Sequence, residues 1–424
     1  MKMAMPPSTA RRGQRRDLDI LIGGGGVVGA ATAVLLARQS ATCGLTVGLV
    51  EPRPPLMPVP GSAWDLRVFA LSRASQHVLQ AAGVWPVVSS RAHAYQGMRV
   101  WDASDTADSP RALAFSAAEA GESDLGHMTE VATLQAALYA AALQAGVRLF
   151  TAPVTGLEIS ADHARITLAD GEQLRAGLVV AAEGRDSPIR GLAGIEASVH
   201  DYQQSGLVAF LQSEQSHQEI AWQRFLPTGP LGLLPVADRR LSVVWTLPSD
   251  TAAQMLAMDE AAFNAAITTA SDGVLGALRL DSARVAVPLR RVTAKHYGVA
   301  RVALVGDAAH AVHPLAGQGA NLGLLDAAAL VQVVAEALAR GEDPGDAGPV
   351  GRYARWRRAE AAPLTLGVHG LQWLFGSSLG PVVAARRTGL GWVGSSAWLR
   401  RQFITHALGL AGEVPRLALT GQRD

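Results

Sequence analysis

Three glycines near the start of the chain have the spacing of a phosphate-binding turn. Gly24, Gly26 and Gly29 follow a short apolar segment and open a longer one rich in Ala and Leu. In the pattern Gly-x-Gly-x-x-Gly, the first glycine permits a tight turn and the second lets the backbone approach a pyrophosphate. The third lets the following helix pack closely on the strand. Glu51 ends the next apolar segment, where a carboxylate can bind a ribose hydroxyl. The spacing predicts dinucleotide binding, and a glycine-rich packing turn is the alternative.

A second stretch, residues 301–321, combines an acid with glycines, histidines and a proline ahead of an Ala- and Leu-rich segment. Asp307 follows Gly306 at the end of an apolar run, where its carboxylate can accept hydrogen bonds from sugar-like hydroxyls; an ordinary cap is the alternative. A helix that begins after Gly319 would direct N–H groups and its positive dipole end at the electron-rich edge of a ring such as a reduced flavin. The whole stretch is hard to interpret as capping alone.

Two further groups of residues are less informative. Glu183 and Gly184 end the apolar segment 178–182 and would again direct backbone N–H groups at a ligand, but the pair alone indicates no more than a turn. His310 and His313 are metal-ligand types, but no third ligand is spaced for them, so we predict no metal site.

The elements that would position these residues begin with a βαβ unit. It consists of an apolar strand at 18–22, a helix at 27–39 and a strand at 45–50. Segments 178–182 and 301–305 have the same buried-strand character. The pattern predicts an α/β protein with a Rossmann-like domain.

Between residues 200 and 290 the pattern changes. Strand-like segments at 207–211, 220–226 and 241–247 predict an antiparallel sheet in a second domain. A long helix is expected at 321–340 and a helical tail after it. The expected division is a basic flexible N-terminus (1–16), a nucleotide-binding domain in three parts (17–90, 129–199, 291–345), a second domain in two parts (91–128, 200–290) and C-terminal helices (346–424).

The composition excludes several classes of protein. Of the 424 residues, 49% are hydrophobic and 17% are charged, so the chain can bury a large core and is not wholly disordered. The 37 basic and 36 acidic residues give no reason to expect a nucleic-acid partner. Cys43 is the only cysteine, which excludes an intrachain disulfide and fits a reducing cytoplasm. Two long runs, residues 20–37 and 361–385, carry no charged side chain, but glycines interrupt both. We therefore expect no transmembrane segment and no targeting peptide.

Together, these motifs resemble the three fingerprints of the single-component FAD-dependent aromatic hydroxylases. The sequence Gly-Asp-Ala-Ala-His, followed by His-Pro-Leu-Ala-Gly-Gln-Gly-x-Asn-x-Gly, is most similar to the ubiquinone-biosynthesis branch. The segments that share this similarity are 65–67, 96–102 and 306–323. Within that branch, segments 125–135 and 407–410 look like the 2-octaprenylphenol hydroxylase type. The resemblance covers residues 17–412.

The resemblance implies a p-hydroxybenzoate hydroxylase-like fold, with an FAD-binding domain, an inserted antiparallel-sheet substrate domain and a helical tail. Arg67 and Gln135 would lie along the FAD pyrophosphate and ribityl chain; a surface ion pair is the alternative for Arg67. Pro314, Gly317 and Gly319 are expected beside the isoalloxazine ring. The cofactor-binding residues so implied are Gly24, Gly26, Gly29, Glu51, Arg67, Gln135, Glu183, Gly184, Asp307, Gly317, Gly319 and Asn321.

Two positions depart from the family pattern. Glu183 stands where the family usually has Asp, which adds a methylene and keeps the charge. Val131 follows Glu130 where the family usually has Asn, which removes one polar side chain near the expected cofactor. We expect these departures to alter individual contacts and not FAD binding itself.

The resemblance also implies an activity, the hydroxylation of the aromatic ring of a polyprenylated phenol in ubiquinone biosynthesis. The reaction would use O2 and a peroxyflavin intermediate, with electrons from NAD(P)H or another donor. Because the cofactor performs the difficult step, no catalytic side chain can be named. Trp222, Phe225 and Trp245 are candidate walls of the substrate site, or else core aromatics.

Other functions are compatible with the same motifs. A flavin monooxygenase for a different small aromatic substrate is one, and a non-catalytic FAD-stabilised scaffold of a quinone-biosynthesis complex is another. A halogenase or a prenyl reductase on the same fold is a further alternative, of which the halogenase is disfavoured, because the segment 245–248 does not match the tryptophan motif of those enzymes.

Both ends of the chain are basic. Residues 1–16 hold five basic residues and no acid, and residues 345–424 hold ten arginines against four acids. A polyprenyl phenol resides in the bilayer, so we expect a cytoplasmic protein whose tail contacts the membrane peripherally. Packing of the same helices on the FAD-binding domain is the alternative. A quinone-biosynthesis protein complex and a homo-oligomer are both compatible with the pattern. The candidate membrane contacts are Leu371, Trp373, Leu374, Phe375, Leu379, Arg386, Arg387, Trp392, Trp398, Arg400 and Arg401.

Overall fold

The fold is seen in a computed structural model, which describes residues 16–59, 61–237, 239–311, 318–376 and 396–419. The strands are β1 (Leu18–Gly23), β2 (Val47–Val50), β3 (Val68–Leu71), β4 (His93–Tyr95), β5 (Gly97–Asp102), β6 (Leu113–Ser116), β7 (Gly126–Glu130), β8 (Arg148–Phe150), β9 (Val154–Ile159), β10 (Ala164–Leu168), β11 (Gln173–Ala181), β12 (Ala197–Ser213), β13 (Ile220–Leu226), β14 (Gly229–Pro235), β15 (Arg240–Pro248), β16 (Leu278–Leu280), β17 (Val285–Ala294), β18 (Gly298–Val299), β19 (Val302–Leu304) and β20 (His310–Ala311). The helices are α1 (Val27–Cys43), α2 (Arg73–Ala81), α3 (Trp85–Ser89), α4 (Ala117–Ala120), α5 (Val131–Gln144), α6 (Pro188–Leu192), α7 (Ser249–Ala257), α8 (Glu260–Ala270), α9 (Gln318–Ala339), α10 (Ala347–Gly376) and α11 (Ala397–Ala407), with 3-10 turns at Gly306–Ala308 and Arg416–Ala418.

The first sheet has a parallel centre. Strand β1 lies between β11 and β2, β2 pairs with β8, and β11 pairs with β19, all in parallel. Helices α1, α5 and α9 cover one face, and residues of β9 and β10 pack against the other. Because both faces are covered, β2 is wholly buried and β1 is buried except at the half-buried Asp19. The carboxyl ends of β1, β2, β11 and β19 therefore meet at one edge of the sheet, where all the predicted ligand-binding turns lie.

The second sheet is largely antiparallel and has the order β20-β17-β12-β15-β14-β13-β5-β6, with β16 beside β12. Helices α7 and α8 cover one of its faces. A small sheet, β3-β7-β4, packs on the other face and connects it to the nucleotide-binding domain. The antiparallel sheet that the sequence predicts for the second domain is present, and the boundaries of that domain stay predictions.

Two local expectations need correction. The segment expected to be all sheet contains α7 and α8, and the Asp259 carboxylate caps α8 by accepting a hydrogen bond from the Ala262 N–H at 2.7 Å. The spacing of Val131, Leu134, Leu138 and Ala141 predicts a helix that Thr129 opens. Helix α5 instead begins at Val131, because Thr129 and Glu130 still belong to β7 and pair with Phe69 and Val68.

Two features of the chain concern its predicted membrane contact, an apolar helix and the C-terminal tail. In the part of the chain that the structure describes, one helical segment, Gly319–Ala339, is long and apolar enough to cross a membrane, and 67% of its apolar window is buried inside the protein. Of the candidate membrane contacts in the tail, only Arg400 and Arg401 have described side chains. The others lie outside the described residues or side chains, as does the basic segment before Arg16.

Candidate functional site

The glycine turn between β1 and α1 has one position open to a ligand. Gly24 has φ +93°, and a Cβ there would lie 2.6 Å from the Ala182 carbonyl oxygen. A Cβ on Gly29 would lie 1.9 Å from the Gly24 carbonyl oxygen. At Gly26, by contrast, a Cβ would have no neighbour within 4 Å. The outer two glycines are therefore required by packing, whereas Gly26 leaves bare backbone at the start of α1, as pyrophosphate binding requires.

Glu51 and Gln135 hold this turn from two sides. The Gly25 N–H donates to Glu51 Oε2 at 2.8 Å, and the Arg53 N–H donates to Oε1 at 2.9 Å. Gln135, on α5, donates from Nε2 to the Gly25 carbonyl at 3.0 Å. Both residues thus lie at the turn, and Glu51 is at the end of β2, where the sequence placed its carboxylate for a ribose. Their contacts with the cofactor stay predictions.

Asp307 lies at the same edge of the sheet, in the 3-10 turn after β19. Asp307 is exposed to solvent, yet protein atoms surround its carboxyl group on most sides. This partial desolvation raises the pKa of its carboxyl, and the nearby Asp326 adds to the rise, while His310 and Arg185 oppose it. An accessible carboxylate in a concave, poorly solvated place suits recognition of hydroxyl groups. The geometry is therefore compatible with the predicted ribityl contact.

The turn around Asp307 is held by a buried acid that the sequence reasoning did not single out. Asp326, on α9, accepts hydrogen bonds from the Gly306 N–H at 2.9 Å and from Arg357 Nε at 2.7 Å. Its Oδ2 also lies 2.5 Å from His310 Nε2. A lone carboxylate in an otherwise apolar helix was the available signal, because such a group must find partners when buried.

Glu183 faces inward. Its carboxylate accepts hydrogen bonds from Ser187 Oγ at 2.5 Å and from the Ile189 N–H at 3.3 Å, so it caps α6. Burial raises its pKa above the ordinary value, and these bonds oppose the rise. The described bonds of this carboxylate go to α6, and its contact with the cofactor stays a prediction. Gly184 has φ +88° and open space around it, so its backbone remains available to a ligand.

Asn321 also binds protein groups. Its Oδ1 accepts hydrogen bonds from the Ser72 N–H at 2.9 Å and Ser75 Oγ at 2.7 Å, and its Nδ2 donates to the Ala70 carbonyl at 2.8 Å. The side chain thus ties α9 to β3 and α2. The amide is buried in this joint, and the predicted cofactor contact of Asn321 stays a prediction.

The remaining predicted flavin neighbours are only partly visible. Pro314 and Gly317 lie outside the described residues, as does His313. Gly319 is half-buried in the first turn of α9. Arg67 is exposed and pairs with Asp65 at 3.1 Å, so the ion pair that the sequence left as an alternative is present.

An apolar cluster fills the space between the small sheet and the second sheet. We call it the interdomain cluster. Its buried members are Met128, Phe210, Ala221 and Val236, and Trp64, Leu66, Val68, Ala70, Tyr95, Met98 and Leu234 pack against them. Val68 and Ala70 belong to β3, the strand that Asn321 ties to the flavin-side helix α9. The cluster is therefore connected through β3 to the N-terminal part of α9.

Two of the three candidate wall aromatics face away from this cluster. Trp222 follows Ala221 on β13, so its side chain points to the opposite face of the sheet. There Trp222 and Trp245 join the core under α7 and α8, and Trp222 contacts Trp101 edge to face at 6.4 Å. The geometry therefore favours the alternative that the sequence left open, core aromatics, for these two tryptophans. Phe225 shares the face of Ala221 but packs at the sheet edge with Val100 and Leu113.

One group of three potential metal ligands occurs among the described residues, His93, His217 and Glu219. Both ring nitrogens of His217 are already in hydrogen bonds, Nε2 with the Val236 carbonyl at 3.0 Å and Nδ1 with the Glu219 N–H at 3.1 Å. A metal would have to displace one of these bonds, so the geometry favours a hydrogen-bonded cluster.

Comparison with known proteins places the chain in a family. Residues 17–360 match the FAD binding domain family. The chain is 35% identical over 404 residues to a ubiquinone hydroxylase, UbiL, of Rhodospirillum rubrum, with 94% of this chain and 92% of that protein covered. It is 36% identical to 3-demethoxyubiquinol 3-hydroxylase of Escherichia coli, with 92% and 98% covered. The chain belongs to the FAD-dependent hydroxylases of ubiquinone biosynthesis.

The solved structures agree with the fold of this hydroxylase. The chain superposes on p-nitrophenol 4-monooxygenase PnpA of Pseudomonas putida with a TM-score of 0.72 at 18% identity, covering 94% of this chain and 99% of that one. HpxO of Klebsiella pneumoniae, complexed with FAD and uric acid, gives 0.70 at 18% identity, with 93% and 96% covered. The predicted fold class and the enzyme class, an FAD-dependent aromatic hydroxylase, are confirmed.

FAD fits the residues of this hydroxylase. The open backbone at Gly26 and the start of α1 suit a pyrophosphate, and Glu51 closes the same turn. Asp307 offers an accessible carboxylate at the same sheet edge. The expected cofactor is therefore confirmed as FAD, and the roles of individual residues remain open to test.

Proposed function

We propose that this hydroxylase adds oxygen to the aromatic ring of a polyprenylated phenol in ubiquinone biosynthesis, as the 2-octaprenylphenol type does. The observation that supports this most is the interdomain cluster, an apolar cluster that includes Phe210, Ala221 and Met128 and joins the small sheet to the second sheet. A site for a prenylated ring needs such apolar lining, and a few polar groups suffice to orient it.

The chain's own residues have binding and positioning roles in this proposal. Bound FAD supplies the activation of O2. Glu51 and Asp307 hold the cofactor's hydroxyl groups, and the N-terminal end of α9 directs its N–H groups at the ring edge. The apolar side chains of the interdomain cluster hold the substrate ring and exclude water from it.

The names of the relatives support the substrate class. The Rhodospirillum rubrum protein is called a ubiquinone hydroxylase, and the Escherichia coli protein is called a 3-demethoxyubiquinol 3-hydroxylase. Both names describe hydroxylation of a ubiquinone-type molecule. The proposal for this chain covers that class of substrate and extends to a polyprenylphenol.

Electrons and substrate both have to reach the site. Of the two Gly-x-Gly-x-x-Gly sequences in the chain, residues 24–29 and 389–394, only the first lies between a predicted strand and a predicted helix. We therefore expect NAD(P)H to dock transiently, or another donor to deliver the electrons. We further propose that the protein is cytoplasmic and contacts the inner face of the membrane, where a prenylated phenol resides. A quinone-biosynthesis complex would likewise bring the prenylated phenol to the site.

Deletion of the gene tests the proposal in the cell. The deletion strain should accumulate a prenylated phenol that lacks one ring oxygen, detected by mass spectrometry of quinone intermediates. Complementation by the wild-type gene should remove that species. Complementation by Asp307→Ala should fail, because this variant should lose most of its FAD. A normal quinone profile in the deletion strain would contradict the proposal.

A further inference from the structure

The turn that presents Asp307 to the cofactor is fixed at both of its ends by one buried carboxylate. We propose that Asp326 is a positioning residue for FAD, which acts by holding the direction of Asp307. Asp326 accepts from the Gly306 N–H at 2.9 Å and contacts His310 Nε2 at 2.5 Å. Gly306 immediately precedes Asp307, and His310 follows it by three residues.

A third partner fixes the carboxylate itself. Arg357, on α10, donates from Nε to Asp326 Oδ1 at 2.7 Å, and Asp326 is 0% and Arg357 1% exposed. Burial alone would raise the pKa of Asp326, but His310 and Arg357 together hold that pKa below its ordinary value. Asp326 is thus a buried anion with fixed partners, and two helices converge on the turn through it.

The first position of the turn requires glycine. Gly306 has φ +58°, and a Cβ there would press on Val28 of α1 at 3.2 Å. On its other side, Arg190 donates from Nη1 to the Ala308 carbonyl at 3.0 Å. Asp307 lies between these attachments and is exposed at the sheet edge, so its orientation follows from them.

The arrangement is costly as a means of stabilising the fold. His310 Nδ1 and Arg357 Nη2 are buried atoms without a hydrogen-bond partner in the part of the chain that the structure describes. Well-packed apolar residues often stabilise a protein as much as a buried ion network does, so such a network is weak evidence for stability. What apolar residues cannot supply is the anchoring of the Gly306 N–H and of His310. We therefore assign the network to positioning.

A double-mutant cycle tests this inference through FAD affinity. The variants Asp326→Asn, Asp307→Asn and the double variant are titrated as apoproteins with FAD, and the dissociation constant is read from flavin fluorescence. We expect Asp326→Asn to raise the FAD Kd about tenfold or more, the equivalent of a lost hydrogen bond to a charged group. In the Asp307→Asn background it should raise the Kd by about twofold or less, because the side chain it orients has already changed.

Asp343→Asn is the matched control. Asp343 accepts a hydrogen bond from the buried Arg301 Nη1 at 2.7 Å, in an ion network among residues 301, 343 and 346 outside the Asp307 turn. The Asp343→Asn variant should have a lower Tm than wild type and the same FAD Kd. If Asp326→Asn does not fold, Arg357→Gln takes its place, because it keeps Asp326 and its bonds to Gly306 and His310. It should raise the Kd about threefold in the wild-type background only.

Two results would overturn the inference. One is an FAD Kd of Asp326→Asn within twofold of wild type. The other is the same fold-increase in both Asp307 backgrounds, which would assign Asp326 to general stability. The inference rests on FAD binding and not on the proposed substrate, so the titration is valid even if no phenol is hydroxylated.

Discussion

At the scale of single residues, the site is a set of backbone turns with a few acids that differ in exposure. Glu51 binds the glycine turn, Asp307 is exposed, and Glu183 and Asp326 are turned into the protein. We expect the acids nearer the solvent, Glu51 and Asp307, to contact FAD and the other two to support the turns. Sequence reasoning singled out Glu51, Glu183 and Asp307 but neither Asp326 nor this division, because the division depends on which partners the fold brings near each acid.

Asp307→Ala should lose most of the bound FAD. The substitution removes the accessible carboxylate that we assign to the ribityl hydroxyls and leaves the turn's backbone bonds intact. The flavin content per folded chain, measured from absorbance after purification, gives the result. Full FAD occupancy in a normally folded variant would show that the ribityl site lies elsewhere.

FAD affinity should fall on acidification earlier than an ordinary Asp would cause. Partial desolvation by the surrounding protein raises the pKa of Asp307. Its carboxylate therefore takes up a proton at a higher pH than an ordinary Asp, whose pKa is about 3.9. A protonated carboxyl accepts hydroxyl hydrogen bonds less well, so the Kd should rise as pH falls through that raised pKa. Asp307→Asn should lack this part of the pH dependence. Identical pH profiles for the two proteins would contradict it.

Glu183→Asp should leave the FAD affinity within about tenfold of wild type, which corresponds to about 1.4 kcal/mol. The Glu183 carboxylate bonds to Ser187 and Ile189 of the α6 cap, so the shorter side chain should cost stability first. Thermal denaturation together with FAD titration separates the two effects. Complete loss of flavin would show that the Gly184 backbone depends on Glu183.

At the scale of elements, the sequence predicted local structure well, but it did not predict which side of a sheet a side chain faces. The strand–turn–helix unit around Gly24 follows from nearby residues, because glycine spacing and apolar runs act within one turn. The side that Trp222 faces depends on β13's place between two layers, which no local pattern reveals. Helix α8 was missed although its signal is local, with Asp259 as cap and Phe263 and Ile267 on one face.

Neighbouring residues on β13 should respond differently to substitution. Ala221→Leu adds volume to the interdomain cluster, so we expect kcat/KM for a prenylated phenol to fall at least about tenfold, with a stability cost of roughly 1–3 kcal/mol. Trp222→Phe removes volume from the opposite core and should cost roughly 1–3 kcal/mol of stability, with kcat/KM of the folded protein unchanged. Steady-state kinetics and denaturant unfolding of both variants decide the point. Equal kinetic effects would contradict the facing we assign.

At the scale of the whole molecule, the basic tail is proposed to bring the protein to the membrane. Of its four candidate arginines, Arg400 pairs with Glu119 at 3.0 Å and Arg401 is exposed. Arg386 and Arg387 lie outside the described residues. Each arginine near an anionic surface contributes about 1 kcal/mol, so changing all four to Gln should sharply weaken co-sedimentation with anionic vesicles and leave FAD bound.

A second variant with the same change in net charge controls for non-specific attraction. It replaces four exposed arginines elsewhere, which are Arg53, Arg111, Arg279 and Arg290. This control should co-sediment like wild type. Equal loss in both variants would show attraction by net charge alone, and no sedimentation of the wild-type protein would show that substrate delivery depends on a partner protein.

The central claim is that the flavoprotein transfers oxygen from O2 to the ring of a prenylated phenol. The most direct measurement incubates the purified FAD-loaded protein with NAD(P)H or a chemical reductant, a short-chain prenylphenol and isotopically labelled O2, and examines the product by mass spectrometry. We predict a product that carries one labelled oxygen atom on the aromatic ring, with none formed by Asp307→Ala. Reduction of the flavin and consumption of O2 with an unchanged phenol would contradict the account.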